Sequence, residues 1–161
     1  MSCQDPAAKD SQEKTISLVT LDPGHFHAAL VQKTMYPQVA PHVHVYAPEG
    51  PDVQEHLKRI EQYNKRPENP THWDEELISG PDYFEKMLAD KSGNVVVLAG
   101  NNRKKTEYIL KSLNNGFNVL ADKPMVIDNE NFDLLKQSFD IAKKNKLLLY
   151  DIMTERYEIT T

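Results

Sequence analysis

Cysteine is nearly absent. Cys3 is the only one in 161 residues, so no disulfide within the chain supports the fold. No apolar run approaches the roughly 18 residues that a membrane-spanning helix requires. Positive charge is also scarce: 19 Lys and Arg stand against 24 Asp and Glu, a formal charge of −5. That balance argues against a nucleic-acid or anionic-membrane partner, since both need a basic face. Internal repeats and low-complexity segments are missing too. What remains is an ordinary globular composition, 39% hydrophobic and 27% charged, at a length that suits one domain with a real core.

The first 14 residues, with "SCQDPAAKDSQEK" after Met1, are polar, small and without periodicity, and read as a flexible tail. Two readings of Cys3 stand. It is an incidental residue in a ragged terminus, or Ser2-Cys3 is the mature end of a bacterial lipoprotein, with Met1 added for expression. The compartment follows from that choice, cytoplasm or cell envelope.

From Thr15 the chain alternates strands with helices. "ISLVTL" (16–21) is an apolar, β-branched run broken by Pro23-Gly24, and "HFHAALVQKTM" (25–35) reads as a helix packed on it. "HVHVYA" (42–47) is a second strand. In residues 51–66, Val53, Leu57, Ile60 and Tyr63 form one apolar stripe of an amphipathic helix, and Pro51 suits its first turn. Residues 64–82 are irregular, with a short edge strand expected near His72-Trp73. "YFEKMLAD" reads as a short helix. "NVVVLA" (94–99) is a continuous apolar run of the kind buried on both faces of a parallel sheet. A helix from about Arg103 to Asn115 stops at Gly116. "FNVLA" is the next strand, Phe132, Leu135, Phe139 and Ala142 mark a further helix, and "LLLYDI" is the last strand.

Such alternation predicts an α/β fold, a doubly wound, mainly parallel Rossmann-like sheet with helices on both faces. Its strand order would be 3-2-1-4-5-6, with a crevice where strands 1 and 4 diverge. "DPGHFH", "GNNRKK" and "ADKPM", each at the carboxyl end of a strand, would meet there. In "DPGHFH" only Gly24 keeps a place in the dinucleotide-loop pattern G-x-G-x-x-G, where a bare backbone admits a pyrophosphate. Asp22, at the first position, would repel phosphate unless it turns away. Gly24, His25 and Phe26 are therefore the candidate phosphate residues. Gly100, Asn101 and Asn102 are candidates for the ribose and nicotinamide side. Arg103, Lys104 and Lys105 sit where cations oppose a helix dipole; they mark either an anion contact or a solvated face. His25 with His27 and His42 with His44 are His-x-His pairs. Neither has a cysteine or an evident carboxylate cluster to complete it, so packed or surface histidines and no metal are expected.

"GFNVLADKP" (116–124) resembles the Gly-x-x-Val-x-x-Glu-Lys-Pro signature of the glucose-fructose oxidoreductase, inositol dehydrogenase and rhizopine-catabolism (Gfo/Idh/MocA) family, with Asp122 for the glutamate. The likeness covers nearly all of the chain after residue 15. Where that family usually has Thr-Pro-Asn-x-x-His after strand 4, this chain has Gly100-Asn101-Asn102, with Lys105 at the histidine position. The resemblance implies an NAD(P)-dependent oxidoreductase acting on a sugar or polyol, with Lys123 beside the nicotinamide as the catalytic group. Asp122 would fix Lys123, and Pro124 would stiffen the turn. Glu49, after strand 2, is the candidate ribose acid, which favours NAD over NADP. The resemblance also implies a β-sheet substrate domain beyond about residue 153, with residues 154–161 starting the connection to it. That domain would carry the acid/base histidine and any homo-oligomer contact, so residues 15–153 would be a cofactor domain, inactive alone. A different class stays open: a non-catalytic nucleotide- or glycan-binding module on the same fold.

Overall fold

A computed structural model describes residues 15–152; the readings made for the tail, Cys3 and residues 154–161 lie outside the described residues. Six strands alternate with five helices: β1 Leu18–Leu21, α1 His27–Leu30, β2 His42–Ala47, α2 Pro51–Lys65, β3 Asp74–Ser79, α3 Tyr83–Asp90, β4 Val95–Leu98, α4 Asn102–Asn114, β5 Asn118–Ala121, α5 Phe132–Asn145 and β6 Leu149–Asp151. The strands form one sheet in the order β3-β2-β1-β4-β5-β6, and every pairing is parallel. This is the order expected of a Rossmann-like sheet.

The alternation of strand residues divides the core into two layers. Val19, Leu21, Val96, Leu98 and Val119 meet Phe84, Met87, Ile109 and Leu113 of α3 and α4 on one face. On the other, Leu18, Val43 and Val97 meet Ala28, Ala29 and Ile60 of α1 and α2. At about 25 cal/mol per Å² of apolar surface removed from water, these two layers are the main driving force for the fold.

Two sequence expectations are corrected. The first helix stops after four residues instead of running to Met35. Past Leu30 the amides of Gln32 and Lys33 bond the Ala29 and Leu30 carbonyls, three residues back, so the chain leaves the α-helical ladder. The carbonyls that follow find donors elsewhere. The Arg66 guanidinium donates to that of Lys33 at 2.7 Å, where Pro37 offers no amide, and the Trp73 indole donates to that of Gln32 at 2.6 Å. The third strand begins at Asp74, just past the expected His72-Trp73. Its sequence, "DEELIS", is poor in β-formers. The sheet register compensates by setting Asp74 against His42 and Glu76 against His44.

Gly100 governs how the strand ends close. Its φ is +101°, and a Cβ there would stand 2.5 Å from the Gly24 Cα. Gly100→Ala should destabilise the chain by at least about 2 kcal/mol, combining left-handed strain with overpacking against backbone. Chemical denaturation measures this, with Gly24→Ala as the comparison. A Cβ at Gly24 meets its nearest neighbours only at 3.5 Å, so that variant should lie close to the parent.

Candidate active site

The parallel sheet brings the loops after β1, β4 and β5 together at its carboxyl edge. The Gly24 amide donates to the Ala99 carbonyl at 2.7 Å and the His25 amide to the same oxygen at 3.2 Å. The loops after β1 and β4 are therefore fastened to each other, backbone to backbone. Gly24, His25 and Phe26 line a cavity of about 240 Å³. Their role in it differs from the dinucleotide-loop pattern, because the amides of Gly24 and His25 are already used.

The remaining wall was missed. Asp52, Glu55, His56 and Arg59 of α2 complete the cavity. Their spacing of three, four and seven from Asp52 is itself helical, a polar stripe beside the apolar one already recognised. Arg59 is held by Glu55 at 2.9 Å, and His56 is buried. Glu49 is exposed just before α2 and is not among the cavity-lining residues.

Asp22 does turn away from the crevice. One of its carboxylate oxygens accepts from Asn101 Nδ2 at 2.6 Å, the Tyr108 hydroxyl at 3.0 Å and the Tyr83 hydroxyl at 3.2 Å. The two tyrosine hydroxyls also stand within hydrogen-bond reach of each other; with one proton apiece, they make two of these three hydroxyl bonds at a time. Burial first, and then these neighbours, push the Tyr108 phenol far above its ordinary value, so it stays a donor to the carboxylate. Asn101 is thereby committed to Asp22. Asn102 is committed as well, accepting from Lys105 Nζ at 2.8 Å.

The three cations at the start of α4 divide between the two readings. Arg103 and Lys104 are exposed, but Lys105 is wholly buried. Its ammonium pairs with Asp122 Oδ1 and reaches the Asp122 carbonyl at 3.3 Å. Asp122 was expected to hold Lys123, and it holds Lys105 instead. Its second oxygen, Oδ2, lies 3.5 Å from both His25 Nδ1 and His27 Nδ1. A carboxylate therefore does join that histidine pair, contrary to the sequence reading, and Glu76 joins His42 and His44 in the same way. The Asp122 backbone amide donates to the Leu98 carbonyl at 2.8 Å, which ties the end of β5 to β4. Lys123 and Pro124 follow as exposed residues joined by a cis peptide bond. Burial, then His27, holds His25 below its ordinary pKa, against the opposing pull of Asp122, with smaller depressions from Lys123 and Lys105.

A six-stranded parallel sheet with a polar crevice at its carboxyl edge defines a Rossmann-like nucleotide-binding domain. The chain belongs to the Gfo/Idh/MocA family: the sequence model for "Oxidoreductase family, NAD-binding Rossmann fold" matches residues 24–151. A candidate oxidoreductase from Parabacteroides merdae, known from a crystal structure, is 62% identical over 91% of this chain, with a TM-score of 0.88. The match spans 33% of that protein's own length. Biliverdin reductase from Synechocystis sp. PCC 6803, solved with biliverdin and NADP+, superposes with a TM-score of 0.60 at 11% identity, over 84% of this chain and 37% of that one. A 3-ketoreductase from Actinomadura kijaniata, solved with NADP and TDP-benzene, gives 0.55 at 17% identity, over 85% and 37%. These two share the fold. No match was found among the curated proteins. No helix among the described residues is long and apolar enough to cross a membrane.

The crevice fits a nicotinamide dinucleotide in part. Gly24 leaves the cavity floor without a side chain, Arg59 brings a cation to the wall, and Lys123 is accessible beyond His25. A cavity of 240 Å³ is smaller than the usual range of about 300–1,000 Å³ for a complete ligand site. It would take one portion of a dinucleotide, held by side chains more than by loop amides.

Proposed function

We propose that this chain forms the cofactor-binding part of an NAD(P)-dependent oxidoreductase acting on a sugar or polyol hydroxyl, with Lys123 as the catalytic residue. The observation that carries the reading is an exposed lysine at the carboxyl end of β5, next to an aspartate locked in the core by a second lysine. A nicotinamide, when bound, supplies the hydride acceptor. Gly24, His25, Phe26 and Arg59 would line its phosphates, and Asn101, Asn102 and the turn Asp122–Pro124 its nicotinamide end. The Lys123 ammonium donates a hydrogen bond to the reacting hydroxyl, orients it and steadies its developing alkoxide character. Glu49, just after β2, is the acid that would meet the adenosine ribose and disfavour the added phosphate of NADP, so NAD is the preferred cofactor. The substrate-binding half and any oligomer contact would come from sequence outside the described residues.

A non-catalytic nucleotide- or glycan-binding module is the second reading. It draws support from the spent amides of Gly24 and His25. Calorimetric titration with NAD, NADH, NADP and NADPH separates the two. The oxidoreductase reading expects binding with NAD or NADH tightest, and loss of that binding in Gly24→Val, whose added methyl groups enter the cavity. Unchanged affinity in Gly24→Val would mean that this loop does not hold the cofactor, and no affinity for any of the four would favour the module.

A further inference from the structure

We propose that His25, His27 and Asp122 bind one divalent transition-metal ion of the zinc or iron(II) type at the inner end of the crevice. The proposal does not depend on the dehydrogenase reading.

The spacing is the first argument. Asp122 Oδ2 lies 3.5 Å from His25 Nδ1 and 3.5 Å from His27 Nδ1, and the three atoms fall within 4.8 Å of one another. Metal bonds of about 2.0–2.2 Å in tetrahedral geometry put neighbouring ligand atoms roughly 3.3–3.5 Å apart. At 3.5 Å an imidazole N–H to carboxylate hydrogen bond is already too long to be good. Two of the three separations thus match those of ligands around an ion, and the third stays within 4.8 Å.

Burial is the second argument. The His27 side chain is 8% exposed, and its Nδ1 has no hydrogen-bond partner. A buried ring nitrogen aimed at a carboxylate but bonded to nothing is costly. A cation between the two would satisfy both.

The surroundings of the carboxylate complete the case. Lys105 occupies Asp122 Oδ1 and leaves Oδ2 with its lone pairs toward the histidines. Ligating carboxylates are commonly oriented by such an outer hydrogen bond. The ammonium also weakens the carboxylate as a donor, which argues for an exchangeable ion. Two imidazoles and one carboxylate form a borderline nitrogen and oxygen donor set, suited to Zn²⁺, Fe²⁺, Co²⁺ or Ni²⁺ over Ca²⁺ or Mg²⁺. His25 is 42% exposed, so the remaining coordination positions open toward the crevice, as in metal sites that admit an external ligand.

The second His-x-His pair differs in where its unpartnered nitrogen stands. His42 already bonds Asp74 at 2.8 Å and Glu76 at 3.2 Å, and the buried, unpartnered His44 Nδ1 is not the nitrogen that faces the carboxylate, since Nε2 stands 3.4 Å from Glu76. This pair serves as the internal control.

The test is titration of the chelator-treated 161-residue chain with Co²⁺, read by calorimetry and by visible d–d absorption, with Zn²⁺ as competitor. One equivalent should bind with ligand-field bands that Zn²⁺ abolishes. His25→Ala removes an accessible ligand and should weaken binding by about 10-fold or more. His27→Ala should do the same, with circular dichroism to check folding, and His44→Ala should change nothing. Should His27→Ala not fold, His25→Ala and His44→Ala decide alone. Affinity retained in His25→Ala, affinity lost in His44→Ala, or only weak binding at several sites overturns the proposal.

Discussion

Lys105→Met should destabilise the chain by about 3–5 kcal/mol, because it leaves the buried Asp122 carboxylate without its ammonium partner. Asp122→Leu should act in the same direction by stranding Lys105 in the core. The pair itself is a different matter. Removing two charges from water offsets most of their attraction, so an apolar replacement of both is near neutral in comparable cases. Lys105→Met with Asp122→Leu should therefore recover most of the loss. Guanidinium denaturation of the four chains measures the cycle, and recovery in the double variant shows that the cost lies in the unpaired charge. A single variant within about 1 kcal/mol of the parent would mean that water reaches the pair.

In the full-length oxidoreductase, on the function proposed above, Lys123→Ala should lower turnover by about 10²–10³-fold, the effect of deleting one preorganised donor at a developing oxyanion. Cofactor affinity should fall far less, since the cavity lined by Gly24, His25, Phe26 and Arg59 does not include Lys123. Lys123→Arg should fail to restore the rate, because the planar guanidinium cannot take the place of a compact ammonium. Steady-state hydride transfer beside cofactor titration separates the two effects. Near-parent turnover in Lys123→Ala would make "ADKPM" a structural turn and move the binding-module reading ahead.

Strand order and the three loops of the crevice were legible because they follow from local pattern. Apolar runs at 94–99 and 117–121 have no surface alternative, and right-handed crossovers leave few topologies. The end of α1 was not legible. Pro37 hinted at it, but the groups that replace its helical bonds, Arg66 and Trp73, come from 33 and 41 residues away. In β3 the acids masked the strand, since their neutralising histidines appear only with the sheet register. The same limit hid the site chemistry. Lys105 could not be told apart from Arg103 and Lys104 because its partner Asp122 stands 17 residues further on, and the carboxylates beside both histidine pairs arrive through β5 and β3. The polar stripe Asp52, Glu55, His56 and Arg59 was readable from spacing alone, and was overlooked beside the stronger apolar one.

The two hydrogen bonds that the Ala99 carbonyl accepts from the Gly24 and His25 amides, with the close Gly24–Gly100 approach, make the two strand ends a single pre-set plate. A ligand entering the crevice does not have to order this loop, so little conformational entropy is lost there on binding. Affinity should then depend on side chains of α2 and on the β5 turn, and differ little between cofactor forms that share those contacts. Gly24 is exposed, yet its amide should exchange its hydrogen only when the loops after β1 and β4 separate, which makes that exchange a reporter of local opening at the carboxyl edge of the sheet.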